Sequence, residues 1–541
     1  MLPGLMMDYP LTLTHLLERG KTFFSRREIV SRSPEGALTR YTYADYYARA
    51  CQLASALRRL GVGPGERVAT LGWNGRRHLE AYYAVPCLGA VLHTLNPRLH
   101  PSELSYIANH AGDKVLLVDR SLLPLAASFR KEVRSLEKVI VMPDDGPYSG
   151  DDLEYETLIS REPPHFEWPA LDERSAALMC YTSGTTGLPK GVLYSHRSTV
   201  LHSMMLSMVD TKAIGEKDTI LAVVPMFHAN GWGWLHAAIG VGAKVVLPGP
   251  DLSSTSLLDL LSGERVTFTG GVPTVWLGVL ASLDEHPGRW DLSALRSIVV
   301  GGAAAPPAMI DGFARRHGVH ICHSWGMTET NPVATIGRLK EGLDDERALE
   351  RRSKQGYPVP FLEQRHADDE GKVLPWDGRS MGELQVRGAW VVASYFESPE
   401  GADKFTKDGW FRTGDVVTID PEGYIHITDR AKDVIKSGGE WISTQALESE
   451  LMSHPSVLEA AVFAARHAKW GERPLAAVVL KPGQAATKAE LEHHLAGKFA
   501  KWWMPDDYVF IDQIPRTSTG KFKKLELRER FGRHLIGPER S

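Results

Sequence analysis

Ten consecutive residues, Thr182-Ser183-Gly184-Thr185-Thr186-Gly187-Leu188-Pro189-Lys190-Gly191, constrain this chain more than any other stretch. They gather four turn formers (three glycines and Pro189), four hydroxyl side chains at the front and one lysine near the end. The apolar run Ala176 to Tyr181 precedes them and reads as a buried strand; a further run, Ser198 to Met208, follows. Glycines let backbone N–H groups close around an anion, and the hydroxyls and Lys190 add donors and charge. Such a loop suits a polyphosphate. It is not an ordinary P-loop. Gly184 and Lys190 keep that motif's spacing, but Pro189 replaces its second glycine and Gly191 stands where a Ser or Thr would bind Mg²⁺.

The flanks give the fold class. Helical spacing over Tyr43 to Leu60 is followed by a strand at Arg67 to Leu71, a helix from His78, a strand at Val91 to Leu95, a helix from Pro101 and a strand at Lys114 to Val118. This alternation predicts parallel sheets covered by helices. After a Pro- and Asp-rich excursion (Pro143 to Pro169), strands are predicted at Thr219 to Val224, Ala243 to Leu247, Val266 to Thr269 and Ser297 to Val300. Loops beyond them (Pro225 to His228, Gly270 to Pro273, Gly301 to Ala303) should share one crevice, because ligands in such sheets sit beyond the carboxyl ends of strands. Gly382 to Ile427 reads as antiparallel strands with glycine turns, and the charged run Asp344 to Lys354 as a solvated helix face. A boundary near Asp429 leaves a small α+β unit of about a hundred residues. The expected division is thus 1–428 and 429–541.

Composition narrows the partners. With 62 basic against 66 acidic residues, no general affinity for nucleic acid or anionic membrane is implied. Cys51, Cys87, Cys180 and Cys322 lie far apart and read as buried thiols of a reducing compartment. No signal peptide or spanning helix is visible, so a soluble cytoplasmic α/β protein is expected.

Four more stretches carry chemistry. His323-Ser324-Trp325-Gly326-Met327-Thr328-Glu329-Thr330 sets a carboxylate beside a tight glycine turn, suited to Mg²⁺, which takes one or two carboxylates plus phosphate oxygens. Pro225 to Trp232 places His228 and Trp232 in a loop after a strand. Gly409 to Asp415 ends in a carboxylate able to accept two hydroxyls. Asp429 to Ile442 is a charged run interrupted by Gly438 and Gly439, and Pro515 to Lys521 ends with a lysine on a glycine turn, a mobile point charge.

In this order the motifs resemble the adenylate-forming superfamily of acyl-CoA synthetases, luciferases and peptide-synthetase adenylation domains. Val224 to Trp234 and Lys436 to Ser443 look most like bacterial medium- and long-chain fatty-acid–CoA ligases. The resemblance implies a large N-terminal domain with a β-barrel-like portion and a small mobile C-terminal domain. It implies ATP and Mg²⁺ in the first half-reaction, coenzyme A in the second, a fatty acid as substrate and a homodimer. The nucleotide would meet Thr182, Ser183, Gly184, Thr185, Thr186, Gly187, Lys190, Ala303, His323, Ser324, Trp325, Thr328 and Asp415. Thr182 and Glu329 would hold the metal, and His228 would lie near the reacting carboxylate. Trp325 departs from the family's usual tyrosine but keeps a flat face for adenine. Trp232 would gate an acyl tunnel and Asp429 would be the hinge. Arg430, Lys432, Lys436 and Trp441 would lie near the nucleotide in one domain orientation or the other, Gly438, Gly439 and Glu440 along the pantetheine arm, and Lys521 would be the catalytic lysine. An aromatic or short branched acid, or a luciferase-like oxygenation, is the alternative chemistry.

Overall fold

The computed structural model describes residues 1–143, 148–182, 188–344, 346–431, 433–437, 440–516 and 522–536. The chain falls into two compact units, Met1–Glu363 with Arg387–Phe405 and Gln364–Val386 with Thr406–Ser541. The boundary expected at Asp429 falls inside the second unit, in the last strand of its four-stranded sheet.

The first unit holds two seven-stranded sheets of one design. In one, the strands run in the order Leu153–Glu154, Lys138–Met142, Asp113–Asp119, Arg67–Leu71, Val91–Thr94, Ala176–Tyr181 and Gly191–Ser195, all parallel except the last. In the other the order is Ile321–His323, Ser297–Val300, Phe268–Gly271, Thr219–Leu221, Lys244–Leu247, Glu28–Arg32 and Leu38–Thr42, again with one antiparallel edge. Central strands such as Val91–Thr94 and Phe268–Gly271 are buried on both faces, which explains why they read as unbroken apolar runs rather than alternating ones. Helices Ser254–Gly263, Pro273–Glu285 and Pro307–His317 cover one face of the second sheet with a core that includes Leu257, Trp276, Ile310 and Phe313.

Several expectations shift. The run Thr219 to Val224 is a strand only to Leu221, because the Asn74 amide then takes over from the ladder: it donates to the Ala222 and Val224 carbonyls and accepts from the Met226 amide. The strand expected at Val266 to Thr269 is Phe268–Gly271. Directly after the ten-residue loop comes a strand, Gly191–Ser195, before the helix His196–Ser207; its alternation is short, with Leu193 outward between buried Val192 and Tyr194. The charged run after Asp344 is helical over Ala348–Ser353 but not wholly solvated, since Arg351 is buried and donates to the Leu343 carbonyl. Cys322 is half-buried rather than buried, being on an edge strand. Among the described residues no helix is long and apolar enough to cross a membrane.

The second unit contains the expected antiparallel strands as a four-stranded sheet, Leu362–Ala367, Gly382–Gly388, Phe411–Ile419 and Ile425–Arg430. A five-stranded sheet follows, built on the long hairpin Val457–His467 and Gly471–Leu480. Its alternating side chains feed two cores: Ala460, Val462 and Val478 face the helices Thr444–Met452 and Lys488–Leu495, while Ala461, Phe463 and Ala477 face Lys524–Phe531.

Candidate active site

In the first unit, the phosphate-type loop connects two paired strands. Tyr181 pairs with Gly191 in the register of Ala176–Tyr181 with Gly191–Ser195. The mouth is closed by two bonds: Thr182 N–H donates to the Lys190 carbonyl (3.0 Å) and Lys190 N–H to Thr182 Oγ1 (3.2 Å). Ser183, Gly184, Thr185, Thr186 and Gly187 lie outside the described residues. Gly191 sits in a crowded place: a Cβ there would come 2.8 Å from Met179 Cε, the movable tip of a side chain, and 3.1 Å from Tyr181 Cζ.

The second motif is tied to this hairpin. Tyr194, on its outgoing strand, donates its hydroxyl to the Thr328 carbonyl at 2.7 Å. Glu329, buried on the short 3₁₀ turn Thr328–Thr330, accepts the Tyr395 hydroxyl at 2.7 Å, and Lys190 Nζ sits 5.0 Å from the centre of the Tyr395 ring. Burial and the Glu329 charge push the Tyr395 hydroxyl well above its ordinary pKa, so it stays a donor. Thus Thr182, Lys190, Thr328 and Glu329 are held together through two tyrosines. A Cβ on Gly326 would collide with the Pro332 carbonyl, so the turn that carries the carboxylate demands glycine. The donor set of hydroxyl and buried carboxylate oxygens is the hard kind that Mg²⁺ prefers alongside phosphate, so these residues fit that ion.

The strands Thr219–Leu221, Phe268–Gly271, Ser297–Val300 and Ile321–His323 end side by side, and the motif loops leave from that edge. His323 Nδ1 donates to the Ser353 carbonyl (3.0 Å) and Nε2 accepts from Ala305 N–H (3.3 Å), which fixes its tautomer and ties it to the exposed loop containing Ala303. Trp325 is buried, with its amide on Thr335 Oγ1. Ser324 Oγ accepts from Lys212 Nζ at 2.5 Å, and the same amine lies 3.5 Å from Cys322 Sγ. Lys212 is buried, and burial lowers its pKa.

His228 is exposed at the head of an unusual turn. From Ala229 to Gly233 every residue has positive φ: 42°, 50°, 60°, 58° and 74°. Left-handed backbone costs about 1–2 kcal/mol for each residue other than glycine, so something must hold it. Asn230 Oδ1 accepts from Cys180 Sγ at 3.0 Å, and the buried Trp232 ring packs over Gly301, where a Cβ would lie 3.3 Å from the ring and 2.9 Å from the Ser324 carbonyl.

In the second unit, Asp415 is buried and paired across the strands with Arg430, Nε to Oδ1 2.8 Å. Lys436 pairs with Trp441 and Ser437 with Glu440 in the small hairpin Ile435–Ser437 and Glu440–Ile442. Lys432, Gly438, Gly439 and Lys521 lie outside the described residues. Asp429 is buried; its Oδ2 accepts both the amide and the hydroxyl of Thr444 at 2.6 Å.

Sequence reasoning missed Tyr194, Tyr395 and Lys212. Tyr395 meets Glu329 across 66 positions of sequence, and Lys212 stands in a polar stretch without periodicity. Only knowledge of which residues pair in space would have singled them out.

The hairpin loop, the glycine-turn carboxylate and the aligned strand ends make a site suited to the phosphates of a nucleotide. A family model described as AMP-binding enzyme matches residues 18–396, and one for the AMP-binding enzyme C-terminal domain matches 446–521. The chain therefore belongs to the adenylate-forming AMP-binding enzymes, and among them to the acyl-CoA ligases. It is 51% identical to the long-chain-fatty-acid–CoA ligase of Thermus thermophilus, covering 99% of this chain and 98% of that one. It is 44% identical to a 3-methylmercaptopropionyl-CoA ligase of Ruegeria lacuscaerulensis, covering 99% and 100%. The crystal structure of the anthranilate CoA ligase AuaEII with anthranoyl-AMP superposes with TM-score 0.85 at 28% identity, over 98% of this chain and 99% of that one.

Proposed function

We propose that the enzyme is a ligase of medium- or long-chain fatty acids. The observation that carries this is Trp232, whose ring is held by a left-handed turn against Gly301, next to Ser324 of the nucleotide motif. An apolar gate in that place suits an alkyl chain, and the identity with the Thermus thermophilus ligase supports the same choice.

In the first half-reaction the acid's carboxylate attacks the α-phosphate of ATP, forming acyl-AMP and releasing pyrophosphate. In the second, the thiolate of coenzyme A displaces AMP to give acyl-CoA. Lys190 and the loop hold the phosphates, Trp325 stacks on adenine, Ala303 and His323 flank it, and Asp415 accepts the ribose hydroxyls. His228 offsets repulsion between the carboxylate and the α-phosphate. Thr182 and Glu329 would hold Mg²⁺, which neutralises phosphate charge when bound. Lys521 bridges carboxylate and phosphate in the first step and then withdraws as the terminal domain, residues 429–541, turns about Asp429. That brings Arg430, Lys432, Lys436 and Trp441 to new places and lets the pantetheine arm pass Gly438, Gly439 and Glu440. A cytoplasmic homodimer completes the reading.

Acid-dependent pyrophosphate release, measured with and without coenzyme A over straight-chain acids, benzoate and acetate, tests it. An optimum among the medium or long straight-chain acids is expected. A sharp optimum at benzoate or acetate refutes the choice of substrate. Oxygen uptake on the bound adenylate without coenzyme A would point to a luciferase-like reaction instead.

A further inference from the structure

A buried chain of hydrogen bonds in the second unit runs from the start of its last long helix to the residue read as the hinge. Lys524, the first residue of the helix Lys524–Phe531, donates from Nζ to Thr444 Oγ1 at 2.5 Å and pairs with Glu448 Oε1 at 2.7 Å. Thr444, the first residue of the helix Thr444–Met452, donates its own hydroxyl hydrogen bond to Asp429 Oδ2 at 2.6 Å. Glu448 Oε1 also accepts from Val462 N–H, in the central hairpin, at 2.7 Å. All four side chains are nearly inaccessible: Asp429 1%, Thr444 0%, Glu448 6% and Lys524 8%. Donors and acceptors are matched, since a hydroxyl gives one proton and accepts at its lone pairs while the ammonium gives three.

The charges are not matched. One cation serves two carboxylates, and burial raises the pKa of Asp429 and lifts that of Glu448 to about 7. Burial works against the Lys524 charge as well, but Glu448 and Asp429 more than offset it and hold its pKa above the ordinary value. An ordinary core would not place three ionisable groups where one apolar cluster would serve, because a buried pair seldom exceeds a hydrophobic replacement in stability. What the cluster does supply is direction. It fixes the side chain of Asp429 to the helix Thr444–Met452 directly and to the helix Lys524–Phe531 through the Thr444 hydroxyl, and Lys524 lies three residues after Lys521. The base of that stretch is closed by the Arg516–Phe522 bridge and by Lys523 N–H on the Pro515 carbonyl.

We propose that Lys524, Thr444 and Glu448 are positioning residues that lock the hinge residue Asp429 to the helix following Lys521, and so set the balance between the two half-reactions. This rests on the reading of Asp429 and Lys521 given above. Turning about Asp429 strains or releases the Thr444 hydroxyl bond, so its strength biases one arrangement of the terminal domain over the other.

Thr444→Val keeps the shape of the side chain and both charges of the Lys524–Glu448 pair, and removes the hydroxyl that joins Lys524 to Asp429, while the Thr444 amide still bonds Asp429 Oδ2. Rates of acid-dependent pyrophosphate release and of thioester formation from supplied acyl-AMP are measured separately, for Thr444→Val, Thr444→Ser and Lys521→Ala. The expected result is a change of at least about tenfold in the ratio of the two rates in Thr444→Val, the weight of a hydrogen bond to a charged group. Thr444→Ser, which retains the hydroxyl, should restore the wild-type ratio. A fall in both rates by the same factor, or a Thr444→Ser ratio as disturbed as that of Thr444→Val, overturns the proposal and leaves a structural cluster. If Lys521→Ala itself fails to separate the half-reactions, the hinge reading falls first; if it separates them while Thr444→Val does not, only the lock falls.

Discussion

The Tyr395 hydroxyl donates to Glu329 at 2.7 Å, and the same ring carries Lys190 Nζ 5.0 Å from its centre. One aromatic side chain thus touches the proposed metal ligand through its oxygen and the phosphate-loop lysine through its face. Tyr395→Phe separates the two effects, because the ring stays and only the donor goes. The Mg²⁺ concentration for half-maximal pyrophosphate release should rise about tenfold, matching the loss of one hydrogen bond to a charged group. Binding of ATP without Mg²⁺ should change less than about twofold, since the cation–π contact is kept. An unchanged Mg²⁺ titration would mean that Glu329 is oriented by other contacts.

Lys212 offers a second test. Its amine is buried and spends its hydrogen bonds on Ser324 Oγ and Cys322 Sγ. Lys212→Met removes the donor and a costly buried amine together, so the fold should lose little stability. Ser324, freed to turn, should hold the nucleotide less well, raising KM for ATP by about three- to tenfold with a smaller change in kcat. Equal KM values in the two enzymes would assign Lys212 to packing alone.

How far the sequence reached is clear from particular elements. Arg67–Leu71 and Ser297–Val300 were legible to the residue because a buried parallel strand is an apolar run bounded by turn formers. The strand Gly191–Ser195 was not, since its five residues carry too short an alternation to stand out between a glycine loop and a helix. The Pro225 loop was placed, but its left-handed course was not: Asn230 and the glycines tolerate positive φ, while Ala229 and Trp232 give no local reason for it, and tertiary contacts impose it. Thr182, Lys190 and Glu329 were singled out through the order of the motifs, and the structure draws them together. Their partners Tyr194 and Tyr395 depend on pairings between distant segments, which periodicity does not encode.

Acid should weaken the first unit through four histidines. His78, His196, His202 and His236 are buried, and burial lowers their pKa values to about 4, 4, 3 and 4. Each is neutral in the folded protein but binds a proton in the unfolded chain below about pH 6.5. The unfolded state therefore takes up more protons as pH falls, and stability drops from about pH 6.5 downward until the folded values are reached. From pH 7 to pH 5 each such group should cost about 2 kcal/mol. His236 stacks on Tyr82 with ring centres 5.3 Å apart, so His236→Phe keeps a ring there without the proton. The shift of the urea midpoint between pH 7 and pH 5 should be smaller in that variant than in the wild type. A shift of the same size would take His236 out of the acid response.

Gly301 gives the sharpest test of the acyl site. A Cβ at this position would lie 2.9 Å from the Ser324 carbonyl and 3.3 Å from the Trp232 ring. The carbonyl is backbone, bound in turn through the Ser324 amide to Val300 at 2.8 Å, and gives little. The 2.9 Å contact is relieved by a shift of the Gly301 backbone itself, and the 3.3 Å contact asks the indole, the softer neighbour, to give as well. In Gly301→Ala the ring should therefore swing away from its seat by a few tenths of an ångström or more. If Trp232 gates an alkyl tunnel, that movement disturbs long acids far more than short ones. Displacements near 1 Å cost up to about a hundredfold in rate, so the dodecanoate-to-butyrate ratio of kcat/KM should change by about tenfold or more. Trp232→Ala should shift the same ratio without disturbing Ser324. If both variants leave the ratio unchanged and lower every acid alike, Trp232 is a core aromatic that braces the strand ends, and the acyl chain runs elsewhere.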